Sequence, residues 1–238
     1  MRKTIAGRGA LMLTVLLFGL VTFLAAQDDR PVTGAGLDWQ FVRDFFRTHT
    51  EDTLVCVKKT KFLIVVVDRS SKVLYSAGVA LGKNKDLGPK VCADDDRTPE
   101  GLYRITQALH ADLPPDGDGY KRLKRMNSVR FSVREGYSRW NDPRKDLGTN
   151  AFGYGFFRLN YPNQRDKNRY VKAVIRGEVP KDEKGGLAGF GFGIGIHGTN
   201  DPDSIGHPAS TGCIRVRNED LRVVRRFLEP GRYVYIEH

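Results

Sequence analysis

A chain of 238 residues with a 40% hydrophobic fraction and no long low-complexity tract has the apolar surface for one substantial core and is short for two domains. That composition excludes an intrinsically disordered polymer. The formal charge of +11 points to anionic partners such as lipid headgroups, cell-wall polymers or carboxylate-rich peptides.

Arg2, Lys3 and Arg8 precede an uncharged apolar stretch from Leu11 to Ala26, which Gln27-Asp28-Asp29-Arg30 closes. A basic start, an apolar centre and small residues at the end predict a secretory signal ending at Ala26, the alternative being an uncleaved membrane anchor. Both readings place the remainder outside the cytoplasm, in the periplasm or cell envelope, where nucleic acid is not an expected partner. Loss of the three cations within residues 1–26 lowers the formal charge of +11 to +8. Three cysteines in an oxidising compartment are an odd set. Either Cys56 and Cys92 pair and Cys213 is left over, or all three are free thiols.

Residues 27–36 carry Pro31, Gly34 and Gly36 and are expected as a linker. Leu37, Phe41, Val42, Phe45 and Phe46 recur at helical spacing and predict a short amphipathic helix, so residues 27–52 join the leader to the main domain. From Thr53 the pattern turns to short β-branched runs at Leu54–Val57, Phe62–Val67 and Val73–Leu81, with a hairpin connection at residues 68–72. Further strands are expected over Gly101–Ile105, Phe152–Leu159, Phe190–Ile196 and Tyr233–Ile236. Asn218 is expected to cap a short helix with Leu221, Val224 and Leu228 on its buried face. The chain therefore reads as mainly β with short helices, an α+β sandwich or partly open barrel in a single domain over 53–238. Residues 113–145 are rich in Lys and Arg and are expected as a solvated, irregular excursion. The competing reading is a basic wall that gathers an anionic substrate.

The chemistry-bearing residues lie late. His197 follows Gly193-Ile194-Gly195-Ile196, where a strand can hold an imidazole, and Cys213 comes 16 residues later. A free thiol has a pKa of ~8.5, so a nucleophilic cysteine needs a histidine, a positive field or a helix N-terminus. Gly212 permits positive φ and close approach to a ligand, making the amides of Thr211, Gly212 and Cys213 candidates for an oxyanion hole. If Ile214 turns inward, Arg215 shares the outer face with Cys213, where its cation favours the thiolate or grips a substrate carboxylate. His197, His207 and Cys213 are also zinc-ligand types, but His-x9-His-x5-Cys fits no short metal pattern, so no metal is expected. A packed structural cysteine is the commonest fate of a single Cys, and on these residues alone that reading is the default over the nucleophile.

The surrounding residues add more. His197-Gly198-Thr199-Asn200, Ser204-Ile205-Gly206 and Ser210-Thr211-Gly212-Cys213-Ile214-Arg215 resemble the active-site signature of the L,D-transpeptidases, the YkuD-type catalytic domain of bacterial cell-wall enzymes. Upstream, Gly82-Lys83 and Asp96-Arg97-Thr98-Pro99-Glu100-Gly101 resemble that family's Thr-Pro-Glu-Gly segment, and Leu159-Asn160-Tyr161-Pro162-Asn163 is also similar. The resemblance covers roughly residues 53–238. It implies Cys213 as nucleophile, His197 as general base and a backbone carbonyl near Gly198 as its orienting group. It also implies an oxyanion and substrate-binding loop at Ser210, Thr211, Gly212 and Arg215, with no metal or organic cofactor. Two departures stand out. The family commonly has Ser-His-Gly-Cys where this chain has Thr211, with His207 expected as a solvated loop residue. The run Asp94-Asp95-Asp96 replaces a glycine-containing turn and is expected as a solvated loop, cation binding being the lesser alternative.

The activity implied is transpeptidation on peptidoglycan stem peptides through a Cys213 thioester. The amine acceptor is a second stem, a wall-attached protein or a free D-amino acid. Hydrolysis of the same thioester, as an L,D-carboxypeptidase or amidase, is the nearest alternative, and a non-catalytic wall-binding module on the same fold is the most distant.

Overall fold

The computed structural model describes residues 36–181 and 185–238; the expected leader at 1–26 and most of the linker lie outside the described residues. Helix α1 (Trp39–Thr48) comes first, capped by Asp38, whose carboxylate accepts from Phe41 N at 3.0 Å. Strands β1 (Thr53–Lys58), β2 (Leu63–Asp68) and β3 (Val73–Gly82) follow as an antiparallel meander. Strand β1 reads as a continuous apolar run because both of its faces are covered. Val55 and Val57 enter the main core, while Leu54 and Cys56 pack under Val42, Phe45 and Phe46 of α1.

Strand β4 (Gly101–His110) continues five residues past its expected end at Ile105. Then come β5 (Gly155–Leu159), β6 (Gly195–His197), β7 (Pro208–Ser210), β8 (Ile214–Val216) and β9 (Tyr233–Glu237). The order is β2-β1-β9-β4-β5-β6-β8-β3, and the β2–β3 pairing closes these eight strands into a ring, with β7 added alongside β3. The barrel is closed, and its interior is filled by residues such as Val57, Leu81, Ile105, Phe157, Ile196 and Ile214.

Two helices have no counterpart in the apolar pattern. Helix α2 (Asp118–Ser128) lies inside the excursion expected to be irregular, and buries only Leu123. Helix α3 (Gln164–Ile175) buries Ala173 and Asp166 and is started by a capping box between Asn163 and Asp166. Neither carries the apolar stripe on which the sequence reading relied. The strand expected over Phe190–Ile196 contracts to β6, leaving Gly189–Ile194 as a loop. Helix α4 (Asn218–Val224) is present, but its N-cap position is Arg217 and Asn218 is its first residue. Cys56, Cys92 and Cys213 are all free thiols; Cys56 lies under α1 and Cys92 in a separate apolar cluster against α3.

Candidate active site

Strand parity builds the site. β6 and β8 run parallel, with Ile196 beside Ile214 and His197 beside Arg215. Ile196 and Ile214 are fully buried in the barrel, so alternation turns His197 and Arg215 to the opposite face, and Cys213, just ahead of β8, joins them. These three residues share a groove of about 330 Å³. One wall is Lys90, Ala93 and Asp94 from the β3–β4 connection, and a second is Gly191–Ile194.

The third wall comes from Phe131 and Tyr137 of the excursion and from Leu147 and Phe152 just after it. The excursion is docked, against expectation. Asn200 Nδ2 donates to Leu147 O and Thr149 O (2.7 and 2.6 Å), Trp140 N to Asp201 Oδ2 (2.8 Å) and Asn141 Nδ2 to Asp203 Oδ2 (2.8 Å). Its contribution to the groove is aromatic and apolar, the groove's cations being Lys90 and Arg215, while its Arg130, Arg139, Arg144 and Lys145 line a separate pocket with Asn200. His207 is exposed, stacks on Trp140 at 4.5 Å, and is not brought to the groove.

His197 is buried, and its Nδ1 lies 2.6 Å from Gly198 O. A carbonyl only accepts, so Nδ1 carries the proton and Nε2 is left with its lone pair. Phe152 meets the ring edge-on at 5.1 Å. Burial, reinforced by the Arg215 cation, lowers the imidazole pKa to about 3, against the opposing Gly198 bond. Cys213 is half-buried, and its thiol donates to Gly193 O at 3.5 Å. Burial pushes that thiol up, while a backbone bond from Gly195 and the cations of Arg215 and Lys90 pull it down. The resting pair is therefore a neutral thiol and a neutral imidazole, and among the described residues no hydrogen bond joins them.

The loop before Cys213 departs from expectation at Gly212. Its N–H donates to Ser210 Oγ at 3.1 Å, so it is not an oxyanion donor in this geometry. Ser210 Oγ donates in turn to Cys213 O at 2.6 Å, tying the loop into a tight turn. Gly212 contributes shape instead: its φ is +135°, and a Cβ there would lie 2.9 Å from Arg97 O. The amides of Thr211 and Cys213 have no hydrogen-bond partner among the described residues, and both residues line the groove. Arg215 is 7% exposed, faces Asp201 as its charge partner, and has a buried Nη1 without a hydrogen bond.

Three contributors carried no readable signal. Phe152 sat within an expected strand. Lys90 is one lysine of several in a polar loop. Asp95, expected to be solvated, is the hub of that loop: it accepts from Val91 N, Cys92 N, Arg97 N and Lys90 Nζ. Asn218 was legible only as a helix cap. Its Oδ1 instead accepts from Tyr154 N and Thr199 N, and its Nδ2 donates to Thr199 O, behind the His197 turn.

Comparison with known proteins gives the family. Residues 52–236 match the family model described as the YkuD L,D-transpeptidase catalytic domain. The YkuD proteins of Bacillus licheniformis and Bacillus subtilis are each 48% identical over 42 residues, 18% of this chain and 26% of theirs. Bd1075 of Bdellovibrio bacteriovorus is 20% identical with a TM-score of 0.45, over 79% of this chain and 48% of that one. An L,D-transpeptidase from Mycobacterium smegmatis gives 12%, 0.42, 79% and 59%, and the helical cell shape determining protein Pgp2 from Campylobacter jejuni 18%, 0.46, 82% and 55%. The chain thus spans about half the length of these structures and about a quarter of the Bacillus relatives.

Proposed function

From the premise that the chain belongs to the YkuD family of L,D-transpeptidase catalytic domains, we propose that it is an exported transpeptidase that cross-links or modifies peptidoglycan through a thioester on Cys213. The observation that carries this reading is the convergence of Cys213 and His197 in one groove, with Nδ1 of His197 fixed by Gly198 O so that Nε2 is free to act as base.

The thiol first turns from Gly193 O toward His197. Nε2 takes its proton as sulfur attacks the carbonyl of the third stem residue. The amides of Thr211 and Cys213 hold the oxyanion, a contribution of a few kcal/mol in comparable sites. On collapse the carbon–nitrogen bond breaks, the imidazolium gives its proton to the departing D-alanine, and the thioester remains. An acceptor amine then attacks, loses a proton to Nε2, and expels sulfur. Arg215 holds a substrate carboxylate and favours the thiolate. The signal-like residues 1–26 and a substrate outside the cytoplasm support the export in this reading.

Incubating the purified protein with tetrapeptide-bearing muropeptides is expected to yield cross-linked dimers by mass, and none with Cys213→Ala. Tripeptide monomers alone identify a hydrolase. Binding without turnover, equal in wild type and Cys213→Ala, identifies a wall-binding module and overturns the proposal.

A further inference from the structure

The Lys90–Asp95 pair is the part of the groove that the mechanism above leaves unused. Lys90 is 3% exposed yet lines the groove, its stem packed beneath Gly191. Its Nζ donates to Asp95 Oδ1 at 2.7 Å. Asp95 also accepts backbone N–H groups from Val91 (2.6 Å), Cys92 (3.2 Å) and Arg97 (3.0 Å). Three backbone dipoles therefore serve the carboxylate already, and it takes one bond from the ammonium. An ammonium has three protons, and among the described residues Asp95 is the only hydrogen-bond partner of Lys90. Arg215, in the same groove, is 7% exposed with Nη1 buried and unpartnered.

Burying a cation with donors left over is costly even where a carboxylate faces it, as Asp95 faces Lys90 and Asp201 faces Arg215. Lys90 neutralises Asp95, but three loop amides already meet most of that carboxylate's hydrogen-bonding needs, so one ammonium proton is committed to it and two remain. Two buried cations that keep spare donors in the groove of one cysteine fit an anion that arrives with the ligand.

We infer that Lys90 is a specificity-determining residue which, together with Arg215, binds a carboxylate of the donor peptide beside the carbonyl that Cys213 attacks. The inference rests on the transpeptidase reading and sharpens its substrate. Two parts of a stem peptide supply that chemistry: the C-terminal carboxylate of the departing residue, and a second carboxylate on the side chain of the residue under attack. Asp95 sets the position of the ammonium, and Arg215 approaches the same group from the floor.

Three donor tetrapeptides separate the sources, read on the purified full chain as acylation of Cys213 by intact mass. One carries both carboxylates through a diamino-diacid third residue, one has lysine there, and one is a C-terminal amide. In wild type, deleting the recognised carboxylate is expected to lower kcat/KM about 10-fold or more, mainly through KM, as for loss of a charge-assisted hydrogen bond. Which deletion does so names the source. Lys90→Gln is expected to shrink that ratio toward one and Lys90→Arg to retain it. Should Lys90→Gln not fold, the pair Lys90→Gln with Asp95→Asn removes both charges together and gives the same comparison. Equal kcat/KM for all three donors in wild type overturns the inference whatever the variants do. So does a penalty that persists undiminished without Lys90. Acylation independent of carboxylates leaves the transpeptidase reading intact, whereas no acylation with any donor sinks that reading and the inference with it.

Discussion

Asn218 and Gly198 are fitted to each other with no space between them: Asn218 Oδ1 occupies the place a Cβ on Gly198 would need. The same oxygen accepts from Tyr154 N at 2.9 Å and Thr199 N at 3.2 Å, while Nδ2 donates to Thr199 O at 2.9 Å. The carbonyl that fixes the His197 tautomer thus belongs to a turn held from behind by α4. Asn218→Ala leaves three backbone groups unserved and is expected to lower stability by roughly 2–4 kcal/mol in urea unfolding. It should also slow acylation of Cys213 as the imidazole loses its fixed orientation. A change under about 0.5 kcal/mol would show that the turn stands without the clamp.

The buried imidazole makes stability depend on pH in a defined window. His197 has a folded pKa of about 3 against an ordinary value of 6.5, so the unfolded chain takes up this proton first. Its contribution is intact above pH 6.5 and is lost as pH falls toward 3, at a slope approaching ~1.4 kcal/mol per pH unit. Carboxylates titrate in the same range, so the informative quantity is the difference between wild type and His197→Gln. Urea unfolding at pH 7, 6, 5 and 4 is expected to show wild type losing stability more steeply than the variant. Parallel curves would mean that the ring is not buried neutral.

The thiol gives a second pH signature. Burial raises the Cys213 thiol above its free value, so a neutral thiol beside a neutral imidazole is expected near neutrality. Alkylation by iodoacetamide, followed at the Cys213 peptide, is expected to show no inflection near pH 6.5 and to keep rising beyond pH 9. Arg215→Gln removes a cation that favours the thiolate and should slow the reaction at every pH. Cys56 and Cys92 are buried and should react only on unfolding. A plateau reached below pH 8 would identify a preformed ion pair and contradict this account.

What the sequence disclosed follows from which forces leave a periodic trace. The β-branched runs of β1 to β3 and the apolar spacing of α1 are legible because burial itself writes them. Helix α2 buries only Leu123, and helix α3 only Ala173 and the capping Asp166, so neither left such a trace. At the site, Cys213 and His197 were legible through local motif, since one strand parity carries both. Lys90, Asp95, Phe152 and Asn218 reach the same groove or its backing from distant segments. Only the closed barrel puts them there.

Gly212 tests that long-range fit most sharply. It holds φ at +135°, a region L side chains rarely adopt, and a Cβ would sit 2.9 Å from both Arg97 O and Ile194 Cδ1. Neither neighbour yields easily. Arg97 N is bound to Asp95 Oδ1 at 3.0 Å, the next residue, Thr98, accepts Gly82 N at 2.9 Å, and Ile194 is buried in the barrel core. The strain in Gly212→Ala must therefore fall on the turn itself, displacing the amides of Thr211 and Cys213 and breaking the Ser210 bond. We expect a stability loss of about 1–3 kcal/mol and acylation slowed by about 100-fold, the scale of losing one oxyanion donor. Ser210→Ala is the control, since it removes the bond to Gly212 without adding a Cβ. It should cost less in acylation than Gly212→Ala. If the two are equal, the hydroxyl rather than the glycine shape holds the turn, and the steric account fails.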